Sequence, residues 1–80
     1  MPGFGVGQIV HYILPIGPSA GQHRPAIIVR VWTTDRLYTC QLQVFTDGRN
    51  DGMDNVTWAT SVPYDESGEN SGSWHWPEAL

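Results

Sequence analysis

The sequence predicts one small all-β domain spanning residues 1–80, and three features carry that reading. Nine glycines and six prolines punctuate 80 residues, which suits turns between short strands and breaks helices. Several segments alternate apolar and polar residues with the two-residue period of a half-buried strand, and none shows a helical period. An apolar fraction of 40% beside a charged fraction of 15% excludes a disordered chain.

Four strands follow in order. The first covers 6–14, VGQIVHYIL, and stops at Pro15. The second, AIIVRVW at 26–32, is rich in β-branched residues; Ile28, Arg30 and Trp32 share the face opposite Ile27, Val29 and Val31. TTDR at 33–36 reads as a tight turn. In the third strand, LYTCQLQVF, Tyr38, Cys40, Leu42 and Val44 point one way and Thr39, Gln41 and Gln43 the other. A loop with two Asp-Gly pairs, TDGRNDGMD, leads to NVTWATSV, where Val56, Trp58 and Val62 are expected on one face. Strands two and three form a hairpin, and three and four pair across the glycine-rich loop. The architecture expected is a partly open antiparallel barrel of four to five strands, SH3-like, with an OB-like barrel as the alternative.

The tail poses a separate question. Two of the four tryptophans lie in the closing SGSWHWPEAL, although chain ends are commonly polar. YDESGENSGS reads as a polar, flexible surface linker that returns this segment to the body, so 64–80 are expected to act as a clasp. In an extended tail Trp74 and Trp76 point one way and His75 the other.

Charge and cysteine content narrow the function classes. A net charge of −4 attracts neither duplex nucleic acid nor anionic membrane. One cysteine, Cys40, gives no disulfide framework and sits on an apolar face. The start, MPGFGVGQIV, has no basic n-region, its glycines read as a flexible lead-in, and AIIV is far too short for a membrane span. A soluble, cytoplasmic protein is expected.

The residues offer little for catalysis. His11, His23, His75 and Cys40 lack metal-ligand spacing, so the histidines read as surface or rim residues; no metal, no cofactor and no enzymatic activity are expected. What stands out is an aromatic-plus-arginine set. All four cations are arginines, which fork onto phosphates and stack on flat rings. Tyr12, Trp32, Tyr64, Trp74 and Trp76 supply ring faces, His11 and His75 supply switchable donors, and Arg24 supplies a fork; together they suit a nucleobase with a phosphate. The bland reading stands beside it: aromatics in small barrels fill the core, and WHW can plug an open end.

The sequence HY, RPAIIV, VPYDE and GSWHWPE, in that order, resembles a widespread group of short bacteriophage proteins, nearly along the whole chain. That group resembles in turn the phage sponge proteins that bind cyclic nucleotide alarm signals of bacterial immunity (CBASS or Thoeris systems). The resemblance implies a non-enzymatic, oligomeric protein of the host cytoplasm that sequesters a cyclic oligonucleotide or related messenger. The matching positions are His11, Tyr12, Arg24, Val62 to Glu66 and Trp74 to Glu78. The rival readings are a virion or assembly component and an SH3-like adaptor for proline-rich peptides. Because the second strand is apolar on both faces, self-association burying Ile28 and Trp32 is expected.

Overall fold

The computed structural model describes residues 3–32 and 37–78; the turn expected at 33–36 lies outside them. The described chain is all-β. Five strands, β1 (Ile9–Ile13), β2 (His23–Val31), β3 (Cys40–Phe45), β4 (Val56–Val62) and β5 (Trp74–His75), form one antiparallel sheet in the order β4-β3-β2-β1-β5. No helix among the described residues is long and apolar enough to cross a membrane.

Alternation decides what each strand buries. Val10 and Tyr12 of β1, Ala26 and Ile28 of β2, Cys40, Leu42 and Val44 of β3, and Ala59 and Val62 of β4 form a buried cluster with Leu14 and Trp74. Phe4, Tyr38, Tyr64, Met53 and Trp76 pack against it. Burial pushes the Cys40 thiol up to about 12, so the thiolate is disfavoured at neutral pH.

Two expectations are corrected, the first of them by a bulge. In β4 the register shifts between Cys40↔Val62 and Leu42↔Ala59, with Ser61 at a left-handed φ of 51°. Ala59 and Val62 therefore both face inward, whereas Val56 and Trp58 face out; strict alternation had joined Val56, Trp58 and Val62. A second shift between Ile28 and Arg30 follows Ile28, which is fully buried in this chain's own core and is not an outward contact. A bulge adds a residue to one strand only, and the two-residue period cannot show it.

The sheet curls until the chain beyond β4 meets β5. Tyr64 bridges Trp74, the Trp74 N–H donates to the Pro63 carbonyl (3.0 Å), and the Asp65 N–H donates to the Trp74 carbonyl (2.9 Å). The tail thereby bridges the two edges of the open sheet at one end. The lead-in is held too: the Phe4 ring stacks on Trp74 at 5.3 Å with planes 5° apart.

The Asp-Gly loop between β3 and β4 winds a 3-10 turn at Gly48–Asp51 that ends on Gly52 at φ 71°. A Cβ there would come within 2.8 Å of the Pro18 ring, so both backbone and space require glycine.

Candidate functional site

Cross-strand pairing gathers the three histidines. His11 faces His75 across β1 and β5, and His23 faces Ile13 across β1 and β2. Directly paired residues share a face, as do residues two apart in one strand. His11, His23 and His75 therefore stand together on the outer face, opposite the core.

Glu78, three residues beyond His75, turns back into their midst. Its Oε2 lies 2.5 Å from His11 Nδ1, its Oε1 lies 2.5 Å from His23 Nδ1, and Oε1 also meets His75 Nε2. The rings wall a small cage, with centroids 4.7 Å apart for His23–His75, 5.7 Å for His11–His75 and 6.3 Å for His11–His23. One donor atom from each of the four residues lies within 4.8 Å of all the others. The histidines were expected as surface or rim residues without metal-ligand spacing; His11 and His23 are partly exposed, but His75 is buried and the fold gathers all three. Ligand spacing in sequence is a guide within one turn or hairpin, whereas these donors arrive from three strands joined by long-range pairing.

The cluster is sheltered on one side. His75 is 5% exposed, and its Nδ1 is buried without a hydrogen-bond partner among the described residues; its polar contact is Nε2, aimed into the cage. The segment expected to be a flexible linker is instead wound around the Asp65 carboxylate. That group accepts the N–H of Ser67 (3.1 Å), Glu69 (3.2 Å) and Asn70 (2.9 Å) and the Ser67 hydroxyl (2.8 Å), so that Gly68 packs against the His75 ring. The Asn70 N–H and the Ser67 hydroxyl hold Asp65 down to about 2. Burial would raise the Glu78 carboxyl, but its own backbone N–H and the His75 and His11 rings bring it to about 2.

The other expected ligand residues lie elsewhere. Tyr12, Tyr64 and Trp74 face the core, with Trp76 edge-on to Trp74 at 5.2 Å, so the aromatics and the histidines occupy opposite faces. Arg24 is engaged: Nε and one terminal nitrogen donate to both Asp51 oxygens at 2.8 and 2.7 Å. The other terminal nitrogen donates to the His23 carbonyl at 2.8 Å. Asp51 is wholly buried, and the Arg24 fork, then the Asp47 N–H at 2.6 Å, hold it well below the usual carboxylate range against the cost of burial. The fork expected to hold a phosphate thus secures the loop between β3 and β4. An apolar cavity of about 170 Å³ lies between Tyr12, Leu14 and Ile16 on one side and Met53, Thr57 and Ala59 on the other.

Of the cage, reading the sequence had singled out His11 and His75 as ligand residues and had missed His23 and Glu78. For Glu78 a signal was present, because His-x-x-Glu after a short strand lets the carboxylate swing back to the ring. For His23 the signal exists only in the β1–β2 register. Comparisons with protein-family models, with curated proteins and with solved structures find no match for this chain.

Proposed function

We propose that the chain is a non-catalytic binding module whose centre, His11, His23, His75 and Glu78, holds a divalent transition metal of the zinc class. The observation that carries this reading is the convergence of three imidazole nitrogens on one carboxylate at the end of the sheet that the tail bridges. Imidazole nitrogen with one carboxylate oxygen is a borderline donor set that suits zinc. One negative charge and three neutral rings compensate half of a dication's charge and leave the bound site with a net charge of +1. Zinc–ligand bonds near 2.0–2.1 Å place tetrahedral donors roughly 3.3 Å apart; all four donors already lie within 4.8 Å, and the Glu78 oxygens, now 2.5 Å from His11 and His23, would draw back to admit the ion. Four protein donors fill a tetrahedral shell and leave no open position for a reactive water, which is the pattern of a structural site. Bound there, the ion would tie β1, β2 and the tail together.

The test is titration of the full-length protein, stripped with chelator, with zinc chloride by calorimetry, beside thermal melts. One zinc per chain is expected, and at one hundred times the dissociation constant the fold should gain about 2.7 kcal/mol. His23→Ala and Glu78→Gln should each weaken zinc binding at least tenfold, about 1.4 kcal/mol; His23→Ala should leave the zinc-free melting temperature little changed, whereas Glu78→Gln, which removes the ionised partner of three histidines, should lower it. Absence of binding heat together with an unmoved melting temperature would remove the metal reading. The same melts with cyclic dinucleotides, cyclic trinucleotides and cyclic ADP-ribose isomers separate the alternatives. A shift with a nucleotide and none with zinc would put sequestration of a nucleotide messenger in its place.

A further inference from the structure

Part of the outer face of the sheet, beside the histidine cage, carries exposed apolar side chains around Gln43 and has no layer over it among the described residues. Register lines up Ile9, Ile27, Gln43 and Trp58 across four strands, and Phe45 beside Val56 in the neighbouring row. Ile9 is 57% exposed, Trp58 49%, Val56 44% and Phe45 42%. We infer that this face is a homodimer interface, with a second copy of the chain as its occupant, packed sheet against sheet about a twofold axis.

Area and charge together argue for a second copy. Those four side chains with Ile27 leave roughly 400–500 Å² of apolar surface in one patch, judged from the 150–250 Å² that large aromatics bury. A standard interface takes about 800 Å² per partner, a little over half of it non-polar, or about 450 Å². The patch therefore has the apolar content of one complete interface half. Charge selects the partner. The chain carries eight carboxylates and a net charge of −4, so two copies repel over most of their surface. Strands β1 to β4 contain no Asp or Glu. Glu78, the carboxylate that reaches this outer face, is held among the three histidines, so two acidic copies can approach at the apolar patch without free carboxylates meeting, and a twofold axis makes the patch complementary to itself. An 80-residue domain also has little buried area of its own, and a covered outer face adds a second core layer.

The test is the solution mass of the full-length protein at micromolar concentration, by light scattering and sedimentation, in chelator. Twice the 8.9 kDa chain mass is expected. Trp58→Lys and Ile9→Lys, made separately at exposed positions, should each raise the dimer dissociation constant at least tenfold while the circular dichroism stays native. Two variants guard against one failing to fold. A wild-type mass of 8.9 kDa, or folded variants that remain dimeric, would overturn the inference. A dimer that forms only with zinc would overturn it as well, assigning association to metal bridging between histidine cages.

Discussion

Trp74→Ala is expected to cost about 3–5 kcal/mol, the range for truncating a fully buried large aromatic. A chain of this length has a total stability of roughly 4–12 kcal/mol, so the variant loses a large share of its fold and is largely unfolded at the lower end. The reason is the number of separate tasks on one side chain. The indole is fully buried, stacks on Phe4, meets Tyr64 at 4.7 Å and Trp76 at 5.2 Å, and donates from Nε1 to the Tyr38 carbonyl at 2.9 Å. Removing it opens a cavity under the tail and leaves that carbonyl without its donor. Urea denaturation followed by fluorescence of the remaining tryptophans reads the loss. Trp74→Phe should retain more than half of the stability, because the ring stack survives and the hydrogen bond does not. Equal, small losses for both variants would show that the tail only lies on the body.

The second large effect is expected at Arg24→Ala, and it is a loss of stability. Asp51 is wholly buried, and the two-pronged contact with Arg24 supplies its counter-charge. Breaking a buried pair from one side strands a charge in a poor solvent and is far costlier than replacing both partners. A fall in melting temperature of roughly 10 °C or more is expected. Arg24→Ala with Asp51→Asn should recover part of it, since a neutral amide needs no counter-charge.

The pH dependence has a definite sign. The folded-state value of Asp51 lies below its unfolded value of about 3.9. Its contribution is therefore complete above about pH 4–5 and is lost as pH falls through the folded value. In Arg24→Ala that value rises, so acid unfolding monitored by circular dichroism should begin at higher pH than in the wild type. An unchanged melting temperature would leave Arg24 free to serve as a ligand fork.

The aromatic tail acquires a physical reason from the same contacts. Trp74 fills the core end, His75 turns to the opposite face, and Glu78 follows it there. Two chemistries are thus served by adjacent residues because a strand presents them on opposite sides.

The sequence by itself determined the all-β class, the pairing of β2 with β3 and of β3 with β4, the inward face of β3 and the opposite directions of Trp74 and His75. Each depends on local alternation or turn chemistry, which is written within a few residues. Only the tertiary structure decided the rest. It set the bulge that puts Val62 on the face opposite Trp58, it buried Ile28 in this chain's own core, and it gave Arg24 to Asp51 across the β3–β4 loop. It also ordered the polar segment around Asp65 and collected His11, His23, His75 and Glu78 into one cage. The reason is range: a two-residue period reports which side a residue takes, but partners far apart in the chain meet only once β1, β2 and β5 are in register.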